Sequence, residues 1–419
     1  MSHKLEKFGV TLHQEQLKNG ANLFLFERKG MPIYLGATFF AGSRFDSTPG
    51  TSHLFEHMLV AGTKKFPTKN LLAEHVEKIG GEFSASTDNN LLRFDIEIPE
   101  AEDIDIGIEV MSECLTTLLF NDQTIDREKD AVISELRSKK NNPKEYIGEV
   151  QRRVALQGTT AARSTLGDEA SIKSITKGDL LTFQKEFIHA GRLNFVASGD
   201  ITIENLKDKL NSINVRSGEK WSVEGKLPIL REKKVEIEFY KDVNHLQVAL
   251  VCRTDIENYT EFCALKVLNS ILAGGRNSRL ITRLRYESGL VYSINGGVFN
   301  TIDWGTWRIN FSCDKDNLDK IKNLIFQEFN ELRENNVLPF ELENTKSKIS
   351  KGSIRVFQTS KAWVDFHEKD ATFFPSELHT PEDYIDTING LTLEDIKKVI
   401  DKYLLEDNFC LAICGDYQK

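Results

Sequence analysis

TKGDLLTFQKEFIHAGRLNFVASGD, residues 176–200, returns in outline as TLEDIKKVIDKYLLEDNFCLAICGD at residues 392–416. The offset is 216 throughout: Thr176 falls on Thr392, Asp179 on Asp395, Phe187 on Tyr403 and Gly199-Asp200 on Gly415-Asp416. Each copy reads as a capped helix followed by a buried strand. Thr176 stands where an N-cap belongs, and Leu180, Leu181, Phe183 and Phe187 follow at helical spacing. A register held over so long a stretch marks a duplicated domain, and the period is too long for a solenoid. Two related halves of about 200 residues each are expected.

Between the copies, residues 215–234 are polar and contain Gly218, Gly225 and Pro228, as a linker would. The expected organisation is one domain over 1–214 and a related one over 235–419. In the first half, Asn19-Gly20 signals a hairpin turn, and 23–26 and 33–40 read as strands. A helix runs from about His53 to Ala61. Thr68 caps a second over 71–79, which Gly80-Gly81 stops. Residues 91–98 alternate as a strand, and helices are expected over 104–120 and 126–139. The second half opens with strands at 235–239 and 246–252. The class is α+β, with each domain a mixed or antiparallel sheet packed with helices.

Composition is that of an ordinary globular chain, with 40% hydrophobic and 28% charged residues. The net charge of −9 argues against a nucleic-acid partner, which needs a concentrated basic surface. The first residues lack the apolar core of a secretory signal, and no window approaches the roughly 18 apolar residues of a membrane span. The six cysteines are scattered, without the paired spacing of a zinc ribbon, and are expected to be reduced. A cytoplasmic protein without membrane contact is expected.

The chemistry concentrates at His53-Leu-Phe-Glu56-His57. Imidazoles at i and i+4 share one helical face, about 5–6 Å apart at Cβ, and can hold one Zn²⁺ between them. Glu56 borders that position without binding it and can take a proton from a water. The spacing inverts the commoner His-Glu-x-x-His order. A catalytic zinc needs a third protein ligand and an open position. The helix beginning near Asp126 offers Glu128 and Glu135, seven apart on one face beside Ala131, Val132 and Leu136. Spacing alone does not choose between them.

These motifs resemble the pitrilysin and insulinase family of inverted zincins, which includes mitochondrial processing peptidase. The lead-in Phe40-Ala-Gly42-Ser43-Arg44, the run Pro49-Gly50-Thr51-Ser52-His53, then Met58 and Gly62-Thr63, are similar to the family pattern. The resemblance spans nearly the whole chain. It implies one zinc per chain, selects Glu135 as third ligand, and gives Glu128 a supporting role in catalysis. Gly80-Gly81-Glu82-Phe83-Ser84-Ala85-Ser86-Thr87 resembles the family's strand that pairs with substrate backbone, with Ser84 where Asn is usual. Ser84, Ala85 and Ser86 would then contact a peptide added to the sheet edge. Arg285 and Tyr292 resemble the family's Arg and Tyr pair. By that likeness Arg285 holds substrate backbone and Tyr292 the developing oxyanion.

The stretch around residues 267–273 lacks both histidines, so no metal is expected in the second half. The family builds its chamber from four such domains. Two chains are therefore implied, most simply a homodimer, alternatively a heterodimer with a related subunit. The resulting expectation is a zinc endopeptidase acting on peptides or unfolded segments. Its rivals are a noncatalytic assembly subunit and a purely structural zinc site.

Overall fold

The computed structural model describes residues 2–222, 227, 233–374 and 377–418. The expected linker at 215–234 lies partly outside them. Both capping signals of the repeat are met. Thr176 Oγ1 accepts from the Asp179 N–H while the Asp179 carboxylate accepts from the Thr176 N–H, and Thr392 and Asp395 repeat the exchange. The helices they start are Lys177–Phe187 and Leu393–Tyr403.

The described strands are β1 (Ser2–Leu5), β2 (Val10–Gln16), β3 (Asn22–Glu27), β4 (Ile33–Phe39), β5 (Glu82–Thr87), β6 (Leu92–Ile98), β7 (Leu193–Gly199), β8 (Val235–Phe239), β9 (His245–Thr254), β10 (Ile294–Asn300), β11 (Gly305–Asp314) and β12 (Phe409–Gly415). They form two sheets, in the orders β1-β2-β3-β7-β4-β6-β5 and β10-β11-β9-β12-β8. The repeat strands β7 and β12 occupy equivalent places. β7 runs parallel to β3 and antiparallel to β4, and β12 runs parallel to β8 and antiparallel to β9. The remaining pairs are antiparallel. Two mixed sheets with helices, in tandem, make the class α+β.

The first compact unit takes Met1–Arg137, Arg163–Ser222 and Ile354–Thr372. One face of its sheet packs Leu23, Leu35, Phe94 and Phe195 against Leu54, Phe55, Met111 and Phe183 of helices on that side. The opposite face is more polar. The helix Ser360–Phe373 lies over it, with Trp363 buried against Phe26 and Phe8. Arg93 on β6 pairs there with Glu368 at 2.5 Å, Asp365 at 3.1 Å and Asp95 at 3.2 Å. A partly buried guanidinium needs such partners, because an unpaired charge is costly away from water.

The second unit takes Ser138–Ala162, Val223–Ser353 and Phe373–Lys419. One face of its sheet packs Leu250, Trp307 and Ile413 against helices that include Tyr259–Ala273 and Leu318–Asn335. The other face, Ala249, Val251, Cys410 and Ala412, is covered by Pro143–Ala155 through Val150 and Val154. The repeat offset carries 143–155 onto 359–371, so the two covering helices are equivalents. Each sheet is thus closed by the helix encoded in the other half of the sequence.

Several boundaries differ from the sequence reading. The helix expected to reach residue 120 ends at Thr116, because Leu118 bridges to Thr63 and the Leu119 N–H donates to the Gly62 carbonyl. The acidic helix begins earlier, at Asp122, and runs to Lys140. The helix capped by Thr68 spans Lys69–Glu77. Gly80, at φ 70°, turns the chain into β5 there. All six cysteines are buried and form no disulfide. Among the described residues, no helix is long and apolar enough to cross a membrane.

Candidate metal centre

Two helices of the first unit bring the polar donors together. Thr51–Ala61 is apolar enough to be largely buried, and Leu54, Phe55, Met58 and Leu59 seat it in the core. The i, i+4 spacing then turns His53 and His57 to one side, with ring centroids 4.9 Å apart. Asp122–Lys140 anchors through Ile125, Val132 and Ile133 and presents Glu128 and Glu135. Glu135 Oε2 lies 3.7 Å from His53 Nε2 and 3.7 Å from His57 Nε2. One ligand atom from each of these three residues falls within 4.8 Å of the others. Donors that each sit about 2.1 Å from a tetrahedral ion stand about 3.4 Å apart, so the three fit one zinc after a small inward shift.

Glu128 takes a different place. Its Oε2 accepts from His57 Nδ1 at 3.3 Å, and Arg127 grips its other oxygen at 3.2 Å. A proton held on Nδ1 leaves the Nε2 lone pair for a metal. Of the two glutamates that spacing left open, Glu135 meets the ring nitrogens and Glu128 orients one ring.

Glu56 Oε2 is 3.8 Å from His53 Nε2, at the margin of the donor triangle. Burial and the neighbouring Glu135 raise the Glu56 pKa, while nearby Thr87 and His57 lower it. Burial pulls His57 down, but the acceptors Glu135, Glu56 and Glu128 leave it raised on balance. The pocket thus favours positive charge between the rings and the carboxylates. A proton supplies that charge at low pH, and a divalent cation competes for the same place.

β5 runs along this site as the last strand of its sheet. Phe83 and Ala85 lean toward the core, while Glu82, Ser84 and Ser86 are exposed. The Asp88 N–H donates to the Leu91 carbonyl where the chain turns from β5 into β6, and backbone groups in a strand alternate sides with a period of two. The N–H of Ala85, three residues before Asp88, therefore points away from β6 to the open edge. Glu56, His57, Val60, Val76, Phe83, Ser84, Ala85 and Glu128 line a cleft of about 520 Å³ beside the donors. Ser86 stands on the strand but outside that lining.

Arg285 and Tyr292 belong to the second unit. Arg285 lies in a widened, π-helical turn, Thr282–Glu287, a geometry common at functional sites. Its guanidinium stands 5.3 Å from the Tyr292 ring centroid. Tyr292 is 77% exposed, unusual for so large a ring. Arg279 and Arg283 fix this segment by ion pairs to Glu328, Glu331 and Glu341.

The role of Arg127 escaped the sequence reading. It acts through a contact with no spacing signal, although it adjoins Glu128.

Residues 33–169 match the family model "Insulinase (Peptidase family M16)", and residues 174–349 match "Peptidase M16 inactive domain". The chain is 30% identical over 175 residues to a probable mitochondrial-processing peptidase subunit beta of Arabidopsis thaliana. That match covers 41% of this chain and 33% of the plant protein, so the chain spans about a third of that relative. A protein of Bacillus subtilis (strain 168) named uncharacterized zinc protease YmxG is 22% identical, over 91% of this chain and 92% of its own. The crystal structure of a peptidase M16 inactive domain from Pseudomonas fluorescens superposes with a TM-score of 0.87 at 20% identity, covering 97% of this chain and 98% of that one. At that identity the likeness speaks for the fold alone.

Proposed function

Given that this chain belongs to the insulinase (M16) family of peptidases, we propose that it is a zinc-dependent endopeptidase that hydrolyses peptides or unfolded segments in a chamber completed by a second chain. The observation that carries this reading is the convergence of His53, His57 and Glu135 on one point, with Glu56 at its margin. Three protein donors leave room for a further position, which separates a catalytic from a structural zinc. When bound, zinc supplies Lewis acidity, making a water nucleophilic near neutral pH and polarising a carbonyl.

The chain's own residues do the rest. His53, His57 and Glu135 hold the metal, and Glu128 fixes the His57 tautomer. The open edge of β5 takes the substrate as an added strand, so Ser84, Ala85 and Ser86 meet its backbone and side chains. Glu56 accepts the proton of the attacking water and returns it to the leaving amine. Tyr292 donates to the oxyanion and Arg285 holds the substrate backbone. Buried cysteines without disulfides suit a reducing compartment such as the cytoplasm.

The direct test is Glu56→Gln assayed with a quenched fluorogenic peptide. Zinc content should stay at one per chain while kcat falls by about a thousandfold or more, since a general base contributes roughly 10²–10⁴ and the amide cannot replace it. Chelation should abolish wild-type turnover and zinc restore it. Undiminished turnover in Glu56→Gln would end this mechanism.

A second reading, the metal-bearing subunit of a heteromeric peptidase, draws on the Arabidopsis relative's name, subunit beta. It predicts that the purified chain binds zinc but gains activity only with a different partner.

A further inference from the structure

The helix that carries His53 and His57 has no capping side chain of its own. Its N-cap is Gly50, at φ 94°, where an added Cβ would stand 2.8 Å from the Leu166 carbonyl oxygen. Asp46, four residues upstream and 3% exposed, supplies what the cap lacks. One of its oxygens accepts from the Ser52 N–H at 3.0 Å, and the other from the Gly50 N–H at 3.0 Å and Ser52 Oγ at 3.1 Å. A carboxylate there also meets the positive end of the helix. Its backbone carbonyl accepts from Arg163 Nη1 at 2.9 Å.

The segment holding Asp46 is itself tied to the β5–β6 turn. The N–H groups of Gly42, Ser43 and Arg44 donate to the carbonyls of Asn90, Asp88 and Asn89 at 2.9–3.0 Å. An added Cβ on Gly42 would sit 2.5 Å from the Asn89 and Asn90 backbone, so nothing larger permits this approach. That turn follows directly on Thr87, the last residue of β5.

We infer that Asp46 is a positioning residue of the metal centre, fixing the start of the histidine helix against the turn of the substrate strand so that the metal donors and the β5 edge keep one spacing. It touches neither metal nor substrate. It acts through Ser52 and Gly50 on one side and residues 42–44 on the other. This rests on the peptidase reading for its purpose, but the brace exists with or without metal.

The test compares wild type, Asp46→Asn and a control, Thr392→Ala, which removes a helix cap in the other unit. Three measurements are made on the full chain: zinc affinity by competition with a chromophoric chelator, amide exchange across residues 50–55 in metal-free protein, and kcat and KM on a peptide. Asp46→Asn should lower zinc affinity about tenfold, as loss of a residue supporting metal ligands does, and speed exchange in that turn by a similar factor. kcat should fall with KM little changed, while Thr392→Ala moves thermal stability but none of the three. Should Asp46→Asn fail to fold, Ser52→Ala removes a single bond and is read in the same way. Zinc affinity and exchange within twofold of wild type, or an equal zinc loss in Thr392→Ala, would overturn the inference. A wild type that binds zinc yet cleaves no peptide would end the peptidase reading alone, and one that takes up no zinc would end both.

Discussion

Glu128 shows how much of a metal site lies one bond behind the donors. Its carboxylate holds His57 Nδ1 at 3.3 Å, and truncating it leaves the ring free to turn or to take the other tautomer. Glu128→Ala should therefore weaken zinc by about 10–100-fold in chelator competition, with turnover partly recovered at saturating zinc. An unchanged affinity would remove Glu128 from the site. Asp46 makes a separate prediction about pH. Burial pushes its carboxyl up to about 7, against the pull of the Ser52 and Gly50 bonds and of Arg163. Between the ordinary carboxylate range and that value, the folded chain keeps a proton that the unfolded chain has lost. Stability from this group then declines as pH rises through the window and levels off above it. Urea unfolding of metal-free protein should show wild type losing ground to Asp46→Asn from about pH 4 to about 7; parallel curves would contradict it. His53, Glu56 and His57 were legible in the sequence because one helical turn fixes their geometry. Choosing between Glu128 and Glu135 by spacing was not possible, since residues seven apart share a face and only the distance to the imidazoles separates them. Asp46 was invisible for a similar reason: its partners sit across a non-helical loop that has no period.

At the scale of elements, β5 carries a prediction that separates peptide binding from metal binding. The Ala85 N–H faces the open edge, where proline costs the sheet no ladder bond. Ala85→Pro should leave zinc content and fold intact while raising KM by about tenfold, the worth of one lost hydrogen bond of about 1–1.5 kcal/mol. A fall in kcat with KM unmoved would place the substrate elsewhere. The repeat strands and their capping boxes could be read directly, because Thr and Asp three apart ahead of an apolar period state a helix start in local chemistry. Helix ends were less legible. The stop at Thr116 depends on Leu118 meeting Thr63, a contact set by tertiary packing. The covering helices Pro143–Ala155 and Ser360–Phe373 escaped notice as well, since periodicity says that a segment has an apolar face and nothing about which sheet receives it.

For the whole molecule, the proposed pairing of chains has a complementation test. A chain with Glu56→Gln and a chain with Tyr292→Phe should each be nearly inactive alone. If Tyr292 serves the partner's metal, refolding them together rebuilds one intact site in half of the dimers, about a quarter of wild-type activity. No recovery would mean that Tyr292 serves its own chain or none. The exchange of covering helices bears on how the protein comes to exist at all. β7 is complete at Gly199, yet the helix that shields its sheet starts at Ser360. At about 5–20 residues per second, the nascent chain must carry an unshielded sheet, Phe24 and Phe26 among its side chains, for roughly 8–30 seconds of translation. Such an intermediate invites chaperones on the ribosome and forbids simple dissection. A fragment ending at 214 should aggregate when made alone and become soluble when the remainder is synthesised beside it, which a sedimentation assay of the two expressions would reveal.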